Sequence, residues 1–245
     1  MKPFLILQLR PVDAAADDEF EAFLKYGGLK EEEVRRVRME KEGVPEIDLS
    51  EYSGIIEGGG PSNVSDPLEK KSKSQLRFER ELIPLYDKIF QEDFPFFGAC
   101  YGIGSLANYT GTTVSREKYA EPPGAVEIIL NEEAEKDPLL NDLPSRFRAF
   151  VGHKEACQEL PEGATLLASS PTCPIQLIRF KENIYATQFH PELDFSGLKL
   201  RVGIYMYEGY FNPASAKELL NRNKDEKVIY PALILKNFVN QYKST

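Results

Sequence analysis

Apolar residues run almost unbroken through Phe4-Leu5-Ile6-Leu7-Gln8-Leu9, the mark of a strand covered on both faces. Asp17-Asp18-Glu19 then opens a helix that the pattern carries to about Tyr26. Residues 34–39 interleave β-branched and basic side chains and read as an edge strand or a short helix. Ser53-Gly54-Ile55-Ile56-Glu57 predicts a short central strand running into a tight turn, Gly58-Gly59-Gly60-Pro61. Residues 62–74 are polar, rich in Ser and Lys, and read as an exposed loop. Leu82, Ile83, Tyr86, Ile89 and Phe90 keep helical spacing, and Pro84 is expected to kink that helix or mark its start. Residues 94–99 predict another short strand, which meets Cys100-Tyr101-Gly102-Ile103-Gly104 before a helix over 105–109. Strand patterns follow at 125–130, 147–151, 165–169, 174–180 and 184–189, then helical patterns near 213–223 and 231–242. Strands alternating with helices early, then a run of strands, predict an α/β fold with a mixed sheet covered by helices on both faces.

Composition narrows the function. A chain of 245 residues with 42% hydrophobic and 28% charged side chains has ample core for one large α/β domain or two small ones. A net charge of −9 argues against non-specific binding to nucleic acid or an anionic membrane. No apolar run approaches the ~20 residues that cross a bilayer. The apolar part of the N-terminus is too short for a signal peptide. Cys100, Cys157 and Cys173 form no C-x-x-C pair, which argues against a disulfide framework or a cysteine-rich metal site and for the reducing cytoplasm. Cys157 and Cys173 read as small core residues, and the charged stretch 31–36 as a solvated face. Only His153 and His190 are available for imidazole chemistry.

Phe96-Phe97-Gly98-Ala99-Cys100-Tyr101-Gly102 has the form of a strand–turn–helix with a nucleophile between small residues. Small neighbours permit a sharp turn, and the helix N-terminus behind the sulfur favours the thiolate. The alternative is a buried, inert cysteine in a Gly-rich turn. Tyr185-Ala186-Thr187-Gln188-Phe189-His190-Pro191-Glu192 supplies what a thiol nucleophile needs: His190 as base, with Glu192 placed to orient it. The glycine turn lets backbone approach a substrate, and the N–H groups of Gly60 and Tyr101 make a candidate oxyanion hole. Gly59 is a candidate substrate contact beside it.

Gly-Gly-Pro, then Gly-x-Cys-x-Gly, then His-Pro-Glu, in that order, resemble the class I (triad-type) glutamine amidotransferases, closest to free-standing GMP-synthase-like domains. The resemblance covers about residues 1–195. It implies a doubly wound, mostly parallel sheet of flavodoxin-like type, with residues 196–245 as a C-terminal extension. It also implies Cys100 as nucleophile, His190 as base and acid, Glu192 as orienting carboxylate, and Gly60 and Tyr101 as oxyanion donors. No metal or organic cofactor is implied. The implied reaction is glutaminase chemistry, with glutamine or another γ-glutamyl amide as substrate. No P-loop pattern is present, so productive use of the ammonia implies a synthase partner. A stand-alone γ-glutamyl hydrolase and a non-catalytic scaffold are the alternatives, and a homo-oligomer is compatible with either.

One position departs from the family pattern, which continues Gly-x-Cys-x-Gly-x-Gln. Gly104 stands where the Gln would hold the amino-acid end of glutamine, and is expected to open space beside the nucleophile. Phe150-Val151-Gly152-His153-Lys154-Glu155 is similar to a Ser-His-x-Asp segment of GMP-synthase-type domains, so His153 reads as a substrate or partner contact, or else as a surface-turn histidine. The Tyr-rich stretch 201–211 reads as a cover for the site, a dimer contact or ordinary packing against the sheet, the last being the expectation.

Overall fold

A computed structural model describes residues 2–243. β1 (Phe4–Gln8) is buried throughout, and its side chains alternate between two apolar layers, Leu5 and Leu7 in one, Phe4 and Ile6 in the other. α1 (Asp13–Gly27) starts ahead of Asp17 and ends on Gly28, whose φ of 67° disfavours any side chain. β2 (Val34–Arg38) is an edge strand parallel to β1, followed by the single turn α2 (Met39–Glu42). β3 (Gly54–Glu57) flanks β1 on the other side. The segment after it is not uniformly exposed, because Asn63 and Val64 are buried. α3 (Lys73–Glu92) is one continuous helix capped by Ser72. Pro84 neither starts nor breaks it; it lies on the exposed face, where water can take the carbonyl left without a donor.

β4 (Phe96–Ala99) leads through Cys100 directly into α4 (Tyr101–Tyr109), so this helix begins at the turn and not at Ser105. β5 (Val114–Ser115), β6 (Glu121–Leu130), β7 (Arg146–His153), β8 (Ala156–Cys157), β9 (Ala164–Ser169), β10 (Leu177–Phe180) and β11 (Ile184–Thr187) follow. β5 and β8 form a small ribbon of their own. Three α-helices follow among the described residues: α5 (Phe195–Ile204), which the residue pattern did not reveal, α6 (Ala216–Asn223) and α7 (Pro231–Tyr242).

The main sheet has the order β2-β1-β3-β4-β11-β10-β9-β6-β7. Neighbours are parallel from β2 to β11 and antiparallel from β11 to β7. Phe78 and Leu82 of α3 and Ile103 and Leu106 of α4 share one apolar layer. Phe20 and Phe23 of α1 pack with Ile234 and Phe238 of α7 in the other. The molecule is thus an α/β fold with a mixed, helix-covered sheet. Ala99 of β4 lies beside Thr187 of β11 in parallel register. Both strands therefore release the chain at the same edge, which brings Cys100 and His190 together across 90 residues of sequence. No helix among the described residues is long and apolar enough to cross a membrane.

Candidate active site

Cys100 sits between β4 and α4 with φ 57° and ψ −85°, a backbone state that costs a non-glycine residue ~1–3 kcal/mol. Its neighbours explain how the turn is held. A Cβ on Gly98 would come 3.1 Å from the Gly102 Cα, so only glycine lets strand and helix approach this closely. The Cys100 amide donates to the Thr187 carbonyl at 2.7 Å, tying the turn to β11. The sulfur-bearing residue keeps partial exposure, at the N-terminus of α4.

His190 follows β11 and is pinned to β7 by its amide, which donates to the Phe150 carbonyl at 2.9 Å. Its Nδ1 faces Glu192 Oε1 at 2.9 Å, and its other edge meets the Cys100 thiol. Burial opposes a charge on the imidazole, but the Glu192 carboxylate and the Cys100 sulfur together push its pKa up to about 9. Glu192 is fully buried; burial works against its charge, and His190 and Arg201 hold it well below the usual carboxylate range. Arg201 Nη1 donates to the same Oε1 at 2.8 Å. Sequence reasoning missed Arg201 because α5 was missed. The available signal was a cationic side chain on the buried stripe that also carries Leu198 and Val202.

The glycine turn curls over this group. A Cβ on Gly59 would fall 2.8 Å from His190 Cε1 and 3.3 Å from Cys100 Cβ, so residue 59 borders both side chains. The Gly59 amide is occupied, donating to Glu19 Oε1 at 3.2 Å. The Gly60 and Tyr101 amides have no acceptor among the described residues. Glu19 was read only as a helix-opening charge. It is fully buried and also accepts from Arg10 Nε at 2.7 Å and Gln8 Nε2 at 2.8 Å. Its position on the apolar stripe with Ala16, Phe20 and Phe23 was the clue to an inward role.

Two pockets flank the Cys100–His190 group. The first contains Cys100, Gly104, His153, Lys154, Glu155 and Tyr210. The space expected beside Gly104 is not empty: Glu155 Oε1 and Val64 Cγ2 each lie 3.6 Å from where its Cβ would stand. Glu155 is held by the Val64 and Ser65 amides at 2.7 and 2.8 Å and by the Ser65 hydroxyl. Burial raises its pKa, and those hydrogen bonds pull it back. Glu155 has no ion-pair partner among the described residues. The second pocket contains His190, Arg10, Arg201, Leu193, Leu198, Val202 and Tyr205. Tyr210 and Gly60 line both. The Tyr210 hydroxyl donates to the Gly60 carbonyl at 3.4 Å, and Lys154 Nζ stands 4.4 Å above its ring. The 201–211 stretch therefore covers the site instead of merely packing on the sheet.

His153 is not a surface-turn residue. It is buried at the end of β7, with Nε2 2.8 Å from Glu121 Oε2 and Nδ1 2.9 Å from the Glu155 carbonyl. Glu121, His153 and Cys173 each place a ligand-type atom within 4.8 Å of the others. Glu121 already accepts from Ser170, Thr172 and Gln176 as well, so hydrogen bonds account for this cluster. Cys157 and Cys173 are buried, as expected of core residues, and burial raises each thiol to about 12.

The chain is similar to several known proteins. A glutamine-hydrolyzing GMP synthase of Thermosipho melanesiensis is 32% identical over 165 residues, 67% of this chain but 26% of that protein. The chain thus spans about a quarter of that relative's length. One subunit of the glutamine-hydrolyzing GMP synthase of Pyrococcus abyssi is 35% identical over 149 residues, 60% of this chain and 70% of that polypeptide. In fold, a glutamine amidotransferase of Thermotoga maritima superposes with a TM-score of 0.78 over 100% of both chains at 21% identity. The glutamine amidotransferase class-I family model matches residues 19–200, from the buried Glu19 through the Cys100 elbow to the end of the His-Pro-Glu region. The chain belongs to the class-I glutamine amidotransferases, a family of cysteine-dependent C–N hydrolases.

Proposed function

We propose that this protein hydrolyses the γ-amide of a glutamyl substrate through a Cys100–His190–Glu192 triad. The observation that carries this reading is the meeting of a strained, partly exposed thiol with an imidazole backed by a buried carboxylate, beneath two unpaired backbone amides. The Cys100 thiolate attacks the amide carbonyl, forming a C–S bond. The Gly60 and Tyr101 N–H groups hold the oxyanion, a contribution worth ~10²–10³ in rate per donor in comparable sites. His190 passes its proton to the departing nitrogen as the C–N bond breaks. It then takes a proton from water as water attacks the thioester, and glutamate leaves. Glu192 keeps the imidazole aimed at the sulfur throughout.

Glu155 supplies the contact that Gly104 cannot. A buried carboxylate facing the thiol's pocket without a cation of its own suits the α-ammonium of a glutamyl group. His153 shapes the wall beside it, and Gly59 borders Cys100 and His190 as a close backbone contact for the substrate. The name of the Pyrococcus abyssi relative, one subunit of a GMP synthase, supports a partner chain that consumes the ammonia. A reactive thiol of this kind favours a reducing compartment such as the cytosol. Residues 196–245 belong to the same domain in this reading and supply specificity. The test is glutamate release from glutamine, with covalent labelling by an electrophilic glutamine analogue. Wild-type protein should turn over and label at Cys100, and Cys100→Ala should do neither while melting like the wild type. Turnover retained by Cys100→Ala would refute the assignment.

A further inference from the structure

Neither pocket beside Cys100 and His190 has room for a glutamyl amide. The thiol's pocket holds about 20 Å³ and the imidazole's about 50 Å³, space for ~1–2 and ~4 waters. Cys100 keeps partial exposure, but what it faces is a slot of that size. One segment closes both. Tyr210 lines the two pockets, and Tyr205 and Phe211 join it on the His190 side.

That cover is lightly held. Residues 205–212 leave the end of α5 as neither helix nor strand. Tyr207, Glu208 and Gly209 are exposed, Tyr207 at 84%, and the apolar anchors Met206 and Phe211 are only partly buried. Gly209 has φ 80°, a left-handed bend that glycine adopts freely, and the chain turns there from the exposed crest back to Tyr210. Two side-chain hydrogen bonds tie the crest down. Lys154 Nζ donates to the Glu208 carbonyl at 2.9 Å, and the Tyr210 hydroxyl donates to the Gly60 carbonyl at 3.4 Å, long for such a bond. The same ammonium lies 4.4 Å from the centre of the Tyr210 ring. A single cation thus holds both the backbone and the ring of this segment. Chain with exposed backbone and few buried apolar contacts opens far more readily than a core does.

We propose that residues 206–211 are a lid over the thiol, latched by Lys154, and that substrate reaches Cys100 only when Lys154 lets go of Glu208 and Tyr210. This rests on the triad reading above, which makes Cys100 the residue a substrate must reach, and it adds the step before attack. Tyr210 and Gly60 are the residues common to the two pockets, so withdrawing the Tyr210 ring joins them into one cleft across Cys100 and His190. The latch belongs to β7's end of the site and the lid to the segment after α5, so opening needs no movement of the sheet edge that holds the thiol and the imidazole.

The experiment measures how fast benzyl methanethiosulfonate, a neutral thiol reagent too large for either pocket, modifies Cys100 in the purified protein, read by peptide mass spectrometry. Lys154→Met removes the latch and leaves the Tyr210 ring in place. It should raise the rate by about 10- to 100-fold, the range of a hydrogen bond from a charged group. Loss of a nearby cation slows a thiol by raising its pKa, so a gain reports access. Lys154→Arg, which keeps a cationic donor, should stay within a few-fold of the wild type. Tyr210→Ala, which removes the cover itself, should gain at least as much as Lys154→Met. The buried Cys157 and Cys173 serve as internal controls and should stay unmodified in every form. A rate in Lys154→Met no higher than the wild type's would overturn the latched lid, and so would equal modification of all three cysteines, which reports general loosening. Faster modification of Cys100 in a protein that releases no glutamate from glutamine would keep the lid and overturn the triad reading.

Discussion

Two buried His–Glu pairs of nearly identical length lie among the described residues, and their surroundings differ. His190 and Glu192 stand at 2.9 Å, His153 and Glu121 at 2.8 Å. The difference lies in what each ring does with its second nitrogen. His190 turns that edge to a thiol on a strained turn, whereas His153 spends it on the Glu155 carbonyl. Each pair also has a cysteine near it. Cys100 is partly exposed at a helix N-terminus, while Cys173 is fully buried and its thiol is pushed up to about 12. A short His–carboxylate contact therefore says little by itself. A free ring edge, an accessible sulfur and unpaired amides beside it separate a reactive site from a structural one.

The sharpest break in that comparison is exchange of the two cysteines. Cys100→Ala should reduce glutamate release to the background, whereas Cys173→Ala should keep it within a few-fold and lower the melting temperature through the cavity it leaves. Next in size is exchange of the histidines. His190→Asn should cost about 10²–10⁴ in kcat. His153→Asn should act chiefly on stability, by ~1–3 kcal/mol for the partners it strands, measured by denaturant unfolding. Gly59→Ala should lower kcat by about 10²-fold without unfolding the protein, because its methyl would displace His190 and Cys100 from each other.

The smallest effect is on pH dependence. His190 is raised from 6.5 to about 9, so the folded state holds an extra proton between those values. That stabilisation is complete below about pH 6.5 and is lost as pH rises through 9, with a slope of up to ~1.4 kcal/mol per pH unit. His190→Asn should flatten that slope in unfolding measurements from pH 6.5 to 9. Glu192 and Glu121 act at the other end: both are held low in the fold, so their contribution is present above the usual carboxylate range and lost on acidification below it.

Much of this was legible in the residues themselves. The continuous apolar run at 4–9, the elbow at Cys100 and His-Pro-Glu after a strand all reflect local demands, and local demands leave local patterns. Parallel register between β4 and β11 then joined the distant pieces. The supporting residues were not legible. Glu19 and Arg201 look like ordinary charges in a helix, and only burial against Gly59 and Glu192 shows their roles. Glu155 was hidden for another reason: its place beside Gly104 depends on the path of two loops, which no periodicity records. Pro84 misled because the cost of a proline depends on which face of a helix it occupies.

The last helix adds a matter of timing. Phe238 of α7 stacks near both Phe4 of β1 and Phe97 of β4, at centroid distances of 6.2 and 5.5 Å. On the ribosome, the first strand is therefore made long before the surface that covers it. The apolar layer holding β1 and α1 stays open until residues 231–242 emerge, and Glu192 waits for Arg201 in the same way. A nascent chain carries the thiol early and gains the groups that support its surroundings only once α5 and α7 have emerged.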